Sequence, residues 1–388
     1  MLRHLLFSLD WAPKIGGAHH WMQEVYRRWP SPVIVVTAAD DGAASAQVAQ
    51  RVDALEVFRV ATEITSIDVS LDCGRAFLGN ARELVQRLGH DDAVVHCKTT
   101  FPEGVSALIA KRRRRANTHL VVYVHGEELL IARSSRLISM LARWVLRGAD
   151  TVIANSRNTA SMIESFVPGR SVQVVHPGVD AAAHRVGPLD RDTMRARLGA
   201  ADAFVVITVG RLEARKNHRT VLGAIARLRG EGRDIRYWCV GEGETRAALV
   251  ALVAANGWGD WVYFTGRVDD EERRRLVAAA DLHAMPSIDE GGLIEGFGIV
   301  FLEAAAAGVP SIAGNNGGQA EAVLDGRTGR VVDGRDVEAV AGAIRGLISD
   351  PAARAEMAVQ CVAWAAQNDW TGVVARTIDA LHVDRAGT

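Results

Sequence analysis

Residues 295–303 have the sequence EGFGIVFLE, and this stretch decides how the rest of the chain is interpreted. Glu295 lies in a glycine-rich loop, and Glu303 follows two helical turns later, on the same face of the helix predicted to begin at Ile299. Glycines let a backbone approach a ligand closely, and a helix N-terminus attracts phosphate. Two carboxylates around such an anion site suit a ligand with central phosphates and terminal hydroxyls, such as a nucleotide sugar. The alternative is a buried loop followed by a core helix with two solvated acids.

Composition limits the classes of protein that the chain can represent. Its 388 residues are 48% hydrophobic, which is enough for two domains with ordinary cores. The 45 basic and 46 acidic residues nearly cancel, so no nucleic-acid partner is expected. The four cysteines lack metal-ligand spacing, and no metal site is predicted. No run approaches the length of a membrane-spanning helix, so a cytoplasmic protein is expected, with a peripheral contact at the inner membrane face left open.

Short apolar runs alternate with amphipathic segments in both halves of the chain. Strands are predicted at residues 4–9, 33–37, 56–60, 93–97, 120–125 and 151–155, and again at 204–209, 235–240, 262–265, 282–285, 310–313 and 329–331. Nearly continuous apolar strands between helices indicate parallel sheets that are covered on both faces. The predicted fold class is therefore α/β, with two doubly wound Rossmann-like domains facing a cleft. Ligands of such sheets bind at the carboxyl ends of the strands.

Two changes in this pattern suggest the domain boundaries. The alternation pauses near Pro177, and apolar residues recur at helical spacing after Trp370. We therefore predict an N-terminal domain at residues 1–180, a linker at 181–203, a C-terminal domain at 204–365, and a C-terminal crossover helix at 366–388 that packs toward the N-terminal domain.

The loops of the second half carry most of the chemical signal. Arg211 follows the first strand of that half, and Lys216, one of only four lysines, opens the next helix. Both cations could reach a diphosphate near this helix start, although two solvated cations are the alternative. Arg267 and Val268 follow another strand, where an ordinary turn is the favoured interpretation. The acidic residues between 287 and 298 suit the recognition of hydroxyls, because ionised carboxylates only accept hydrogen bonds.

The first half is less informative. Gly16 and Gly17 follow its first strand, next to Pro13 and Lys14, and their amides could face an anion or an acceptor. His125 ends a strand and is either a polar contact for a ligand or a capping or core histidine. Neither half has a Ser-His-Asp order, a metal cluster or a GxGxxG fingerprint, which argues against hydrolases, zinc enzymes and nicotinamide dehydrogenases.

A basic run at residues 111–115, Lys-Arg-Arg-Arg-Arg, ends a predicted helix. Cations at a helix C-terminus complement the helix dipole, so a solvated helix end is the favoured interpretation. A patch for anionic lipid head groups is the alternative.

With these motifs the chain resembles the retaining glycosyltransferases of the large family-four group, which have the GT-B fold. The resemblance covers nearly the whole length. Its specific part is Gly210-Arg211-Leu212 with Lys216, then Glu295 to Glu303, then Gly317-Gly318. The sequence from Glu295 to Pro310 is most similar to bacterial phosphatidylinositol mannosyltransferases and their relatives.

The resemblance implies roles for individual residues. The proposed catalytic group is His125, Arg211, Lys216 and Glu295. Arg211 and Lys216 would hold the donor diphosphate, while Glu295 would bind hydroxyls of the donor sugar and His125 would contact that sugar near its reacting carbon. The remaining donor-binding residues are Gly16, Gly17, Arg267, Val268, Gly296, Phe297, Gly298, Ile299 and Glu303. Among these, Glu303 would bind the ribose diol, and Arg267 with Val268 would meet the nucleobase.

The resemblance also implies a reaction. A hexose-type sugar would move from a GDP- or UDP-linked donor to a hydroxyl of a glycan, a glycolipid or a small molecule, with retention of anomeric configuration. The N-terminal domain would bind the acceptor and the C-terminal domain the donor. No cofactor or metal is expected, because Arg211, Lys216 and a helix dipole can supply the needed charge. The alternatives are another GT-B enzyme, such as an epimerase, or a non-catalytic sugar-nucleotide-binding subunit.

Overall fold

The computed structural model describes residues 2–11, 16–38, 49–52, 55–60, 71–114, 116–185, 188–200 and 202–383. Pro13, Lys14 and Arg115, which the sequence analysis named, lie outside these residues. The chain divides into two compact units: Met1–Pro177 together with Trp370–Thr388, and Gly178–Asp369. The segment predicted as a linker, 181–203, is thus part of the second unit.

The first unit contains one sheet with helices. Its strands are β1 (Arg3–Phe7), β2 (Val33–Ala38), β3 (Ala49–Val52), β4 (Leu55–Val60), β5 (Ala93–Cys97), β6 (Thr118–Val124), β7 (Thr151–Ala154) and β8 (Gln173–Val174). Their order is β3-β4-β2-β1-β5-β6-β7-β8. All neighbouring strands are parallel except β3 and β4, which are antiparallel. Strands β5 and β7 are buried along their whole length, which explains their nearly continuous apolar sequence.

The helices of the first unit are α1 (Gly17–Arg27), α2 (Leu71–Leu88), α3 (Glu103–Arg113), α4 (Glu127–Ser134), α5 (Arg136–Gly148), α6 (Arg157–Phe166) and α15 (Trp370–Val383). Ser135 and Ser156 cap α5 and α6, because each side chain accepts a hydrogen bond from a backbone amide of the first turn. The C-terminal helix α15 packs against α1, where the Trp370 ring meets His20 edge-on at 5.5 Å between ring centroids. The last helix of the chain therefore belongs to the unit that begins it.

The second unit contains a fully parallel six-stranded sheet. Its strands are β9 (Phe204–Val209), β10 (Ile235–Val240), β11 (Val262–Gly266), β12 (Leu282–Met285), β13 (Ser311–Gly314) and β14 (Gly329–Val332). Their order is β11-β10-β9-β12-β13-β14, with parallel pairing throughout. The order reverses between β9 and β12, and such a switch point is where doubly wound sheets bind ligands.

The helices of the second unit are α7 (Pro188–Arg197), α8 (His218–Gly230), α9 (Arg246–Ala255), α10 (Asp270–Ala279), α11 (Ile299–Ala306), α12 (Gln319–Ala322), α13 (Val337–Ser349) and α14 (Pro351–Gln367). Helix α7 lies in the segment predicted as a linker. Its Arg191 and Arg195 pair with Asp281 at 2.7 and 3.1 Å, which holds the helix to the second unit. Among the described helices, none combines the length and the apolar character needed to cross a bilayer.

Candidate active site

The loop after β9 is held by close backbone contacts with the loop after β10. The Leu212 amide donates to the Glu242 carbonyl at 2.9 Å, and the Thr245 hydroxyl donates to the Leu212 carbonyl at 2.7 Å. A Cβ atom on Gly241 would lie 2.0 Å from the Gly210 oxygen, and one on Gly243 would lie 2.4 Å from the Leu212 oxygen. Only glycine fits at these two positions, so the glycines after β10 fix the path of the loop that carries the predicted cations.

Lys216 is turned inward by the residue that follows it. A short 3-10 turn, Ala214–Lys216, ends at Asn217, which adopts a left-handed conformation with φ of 61°. The Asn217 side-chain amide donates to the carbonyls of Pro286 (3.0 Å) and Gly334 (2.5 Å). The loop after β9 is thereby attached to the loop after β12 at the switch point, and Lys216 is buried.

The Lys216 ammonium forms an ion pair with Oε2 of Glu295. The Arg215 guanidinium also donates to this oxygen at 3.1 Å, and its Nε lies 2.9 Å from Oε2 of Glu213. Burial by itself raises the pKa of Glu295, but the charges of Lys216 and Arg215 outweigh it and hold the pKa below its usual range. The site therefore contains an ionised carboxylate with one buried cation, Lys216, and one largely buried cation, Arg215.

Arg211 lies differently from what its motif predicts. Its side chain is 67% exposed and pairs with Oε1 of Glu213 at 2.7 Å. Arg215, which the sequence analysis did not name, is the arginine that contacts Glu295 beside Lys216. Arg215 could have been predicted from its position directly before Lys216, because neighbouring side chains of one short turn can reach the same carboxylate.

Glycines on two loops hold the backbone around Glu295 in place. The Gly318 amide donates to the Glu295 carbonyl at 2.9 Å, and a Cβ on Gly317 would lie 2.4 Å from that oxygen. Gly298 has φ of 88°, and a Cβ there would lie 2.6 Å from the Phe301 ring. Helix α11 begins directly afterwards, at Ile299, as predicted. Gly296 and Phe297 complete the loop, with Phe297 buried.

Glu303 is paired within the second unit. Its Oε2 accepts from the guanidinium of Arg273 on α10, and Arg273 also lies 3.1 Å from Oδ1 of Asp270. Burial lowers the pKa of Arg273, but the two carboxylates more than compensate and raise it above its ordinary value. Arg273 was not named from the sequence. Of the residues predicted to meet the nucleobase, Arg267 is exposed and Val268 packs against the core beside α10.

Two neutral histidines lie buried near this site. The His283 ring meets Phe301 at 5.2 Å between centroids, and its Nδ1 lies 3.2 Å from the Ser311 hydroxyl. Burial lowers the pKa of His283 to about 3. His218 pairs with the Tyr237 hydroxyl at 3.1 Å, and burial together with the Lys216 charge lowers its pKa to about 4. Both rings are uncharged near neutral pH and do not compete with Lys216 for Glu295.

In the first unit, His125 follows β6. Its Nε2 lies 2.9 Å from the Lys98 carbonyl, and its ring meets Trp21 edge-on at 5.3 Å between centroids. Burial, aided by the charge of Lys98, lowers the pKa of His125 to about 3. Because a carbonyl only accepts, Nε2 carries the proton and Nδ1 is left as an acceptor. Neutral His125 can accept a hydrogen bond from a hydroxyl, but it is not charged for acid catalysis at neutral pH.

A buried lysine lies next to His125 at the carboxyl ends of β1 and β5. The Lys98 ammonium is 2.9 Å from Oδ2 of Asp10, 3.8 Å from Oε1 of Glu103 and 3.4 Å from Nε2 of His19. Gly16 precedes α1, and a Cβ there would lie 2.9 Å from the His19 ring; Gly17 is exposed. Lys98 was not predicted from the sequence, because its partners come from three separate segments.

Two family models match the chain. The model described as Glycosyltransferase Family 4 matches residues 15–183, and the one described as Glycosyl transferases group 1 matches residues 190–362. A GDP-mannose-dependent alpha-(1-6)-phosphatidylinositol monomannoside mannosyltransferase of Mycobacterium tuberculosis is 33% identical over an alignment of 400 positions that covers 100% of each chain. The Mycolicibacterium smegmatis enzyme of the same name is 38% identical over 285 residues, 71% of this chain and 73% of that one.

Solved structures agree with the fold. Anabaena Alr3699/HepE in complex with UDP has a TM-score of 0.79 at 24% identity, covering 98% of this chain and 100% of that one. Two Rossmann-like units of this kind are the hallmark of the GT-B fold. The chain belongs to glycosyltransferase family 4. The predicted fold class, family and enzyme class are thereby confirmed.

Proposed function

We propose that this enzyme transfers a mannosyl group from GDP-mannose to an acceptor hydroxyl, with retention of anomeric configuration. The observation that carries the proposal is the largely buried group of Lys216, Arg215 and Glu295, at the switch point of the second sheet and next to the start of α11. Its cations suit a diphosphate and its carboxylate suits sugar hydroxyls. The GDP-mannose donor is supported by the names of the two mycobacterial relatives.

We expect the two cations to stabilise a leaving diphosphate. Charge develops on the phosphate oxygen as the bond to the sugar breaks, and preorganised cations in a site of low dielectric lower the energy of that state. In this proposal Lys216 and Arg215, which both contact Glu295, also contact the phosphate. Because these side chains supply positive charge, we expect transfer to proceed without a divalent metal.

Glu303 is the proposed contact for the ribose. Its carboxylate accepts hydrogen bonds only, so it suits a vicinal diol. Arg273 holds one of its oxygens, which orients the carboxylate before the nucleotide binds. Arg267 and Val268 remain the proposed nucleobase contacts.

We propose that the anomeric configuration is retained because the acceptor oxygen attacks C1 on the same face of the sugar from which the diphosphate departs. The bond from C1 of the sugar to the phosphate oxygen breaks, the bond from C1 to the acceptor oxygen forms, and the acceptor proton passes to the departing phosphate. Neutral His125 accepts a hydrogen bond from the sugar in this scheme and does not protonate the leaving group. The acceptor is proposed to be a polyol or a glycolipid head group, as the relatives' names suggest.

Thermal shift with GDP, UDP and ADP tests the donor. Ligand that binds only the folded protein raises the melting temperature by mass action, so GDP should give the largest shift at equal concentration. A larger shift with UDP would contradict the GDP assignment. Incubation with GDP-mannose and candidate acceptors, followed by NMR of the anomeric proton, tests the reaction, and an inverted product would contradict retention.

A further inference from the structure

The loop after β10 carries a carboxylate that the proposed function does not use. Glu242 follows Gly241, whose amide donates to the Gly266 carbonyl at 3.0 Å at the end of β11. The carbonyl of Glu242 accepts a hydrogen bond from the Leu212 amide at 2.9 Å. Glu242 therefore lies between the loop after β9, which carries the two cations of the candidate active site, and the loop after β11.

The side chain of Glu242 lies against the end of β11. A Cβ atom on Gly266 would lie 3.0 Å from Oε1 of Glu242. Arg267 and Val268, the proposed nucleobase contacts, follow Gly266 directly in the chain. Because the Glu242 side chain is 51% exposed, its carboxylate is accessible to a base that binds at these residues.

Arg246, the first residue of α9, lies beside this carboxylate. Its Nε is 3.3 Å from Oε1 of Glu242, and its guanidinium lies 6.0 Å from the centre of the Phe264 ring on β11. The Nε atom is buried and makes no hydrogen bond within the part of the chain that the structure describes. The two opposite charges are thus held together, while their hydrogen-bonding groups are left for a ligand.

We propose that Glu242 and Arg246 recognise the guanine base of the donor and so determine its preference for GDP, an inference that rests on the proposed function. Guanine presents two adjacent donors, N1–H and the 2-amino group, beside two acceptors, O6 and N7. A carboxylate accepts from both donors, and an arginine donates to both acceptors. Uracil has a single N–H between two carbonyls, and adenine has no N1–H, so neither base matches this pair of side chains.

The other carboxylates near the proposed base contacts are engaged with α10. Oδ1 of Asp269 accepts from the Glu272 amide at 2.8 Å, and Oδ1 of Asp270 lies 3.1 Å from the Arg273 guanidinium. Arg273 in turn holds Glu303, the proposed ribose contact. These acids therefore organise the ribose side of the site, and Glu242 remains for the base.

An ordinary ion pair on a helix surface is the alternative for Glu242 and Arg246, since they are four residues apart. Such a pair requires no particular neighbour. The contact of Glu242 with Gly266 and the position of Arg246 beside Phe264 instead direct both charges to one place, the end of β11. This common direction favours a role in binding.

Calorimetric titration with GDP and two analogues tests the proposal. Inosine diphosphate (IDP) lacks only the 2-amino group of GDP, and 7-deaza-GDP has a carbon in place of N7. We expect the wild type to bind GDP at least about tenfold more tightly than IDP, because IDP loses a hydrogen bond to a charged carboxylate. Glu242→Ala should bind GDP at least about tenfold more weakly than the wild type does, and it should bind GDP and IDP about equally. Arg246→Met should bind GDP and 7-deaza-GDP about equally, whereas the wild type should prefer GDP.

Matched controls are Glu244→Ala and Arg233→Met, which remove exposed side chains outside the pair. Both should keep the wild-type preference for GDP over the two analogues. All four variants should melt as the wild type does without nucleotide, because the substituted side chains are exposed or half exposed.

The outcomes separate this inference from the proposed function. Glu242→Ala that still preferred GDP to IDP as the wild type does would overturn the inference and leave the GDP donor intact. Loss of that preference in Asp270→Asn, but not in Glu242→Ala, would likewise overturn it and place the base contact on α10. A wild type that bound UDP or ADP more tightly than GDP would contradict both. Because titration requires no sugar transfer, a negative transfer assay would contradict the proposed reaction and leave the base contact standing.

Discussion

The ammonium of Lys216 and the carboxylate of Glu295 form a buried ion pair between residues 79 positions apart in the chain. Each side chain is only 11% exposed. The pair joins the loop after β9 to the loop after β12, at the point where the strand order of the second sheet reverses. The two residues most strongly implicated by the sequence therefore act on each other, and substitution of either changes the electrostatic environment of the other.

Lys216→Ala should weaken the binding of GDP more than tenfold. Losing a charged hydrogen bond to the diphosphate costs about 1.5–3 kcal/mol. Arg211→Ala provides the comparison, because Arg211 is exposed and pairs only with Glu213 among the described contacts, so its loss should cost less. Calorimetric titration with GDP measures both. Full affinity in Lys216→Ala would show that Lys216 serves the fold rather than the diphosphate.

Glu295→Gln should leave GDP binding intact while it reduces sugar transfer at least tenfold. The substitution keeps the size of the side chain but releases Lys216 and Arg215 from their internal anion, so these cations remain available to the phosphates. The charged hydrogen bonds to the sugar are lost. Titration with GDP and measurement of kcat/KM with the complete donor separate the two effects. Normal transfer by this variant would argue against a contact between Glu295 and the sugar.

Arg273→Met should destabilise the protein and weaken GDP binding, because buried Glu303 loses its partner. Removing one member of a buried ion pair lowers the stability more than replacing both members, because it leaves the other charge buried and unpaired. The double variant Arg273→Met with Glu303→Gln should therefore recover the melting temperature but not the affinity for GDP. If the double variant regained both, Glu303 would be a structural residue only.

Glu128 makes the stability of the protein depend on pH. Burial raises its pKa to about 7, although the His125 amide donates to its carboxylate at 2.8 Å. A raised pKa means that the folded state binds the proton more tightly than the unfolded state. The stabilisation is therefore complete below the unfolded pKa of about 4.5, and it is lost as the pH rises through about 7.

Glu128→Gln should accordingly reduce the fall in melting temperature between about pH 5 and pH 8. Glu127→Gln is the matched control, since Glu127 is the exposed neighbour at the start of the same helix, α4. Melting curves of the three proteins over this pH range make the comparison. An identical pH dependence in wild type and Glu128→Gln would mean that this carboxyl group titrates normally.

The fold followed from the sequence because its strands are buried on both faces and its helices are amphipathic. Strands such as β5 consist almost entirely of apolar residues, and this pattern is local. The loop of Glu295 was also visible, since its glycines and acids are adjacent. Arg215, Arg273 and Lys98 were missed because the partners that define their roles lie about 80, 30 and 88 residues away. Local spacing did not show that Arg215, rather than Arg211, would turn toward Glu295.

Helix α15 should stabilise the first unit even though it comes from the end of the chain. Trp370 is 1% exposed and Val373 is fully buried, and the Trp370 ring packs against His20 of α1. Replacing a buried tryptophan by alanine typically costs 3–5 kcal/mol, so Trp370→Ala should lower the melting temperature by several degrees. Asp379→Ala, at an exposed position of the same helix, is the control and should melt as the wild type does. Calorimetry of the full-length protein with and without GDP makes the measurement. GDP should still raise the melting temperature of Trp370→Ala, because the proposed diphosphate and ribose contacts, Lys216, Arg215 and Glu303, lie in the second unit. Unchanged melting of Trp370→Ala would mean that α15 adds nothing to the stability of the first unit.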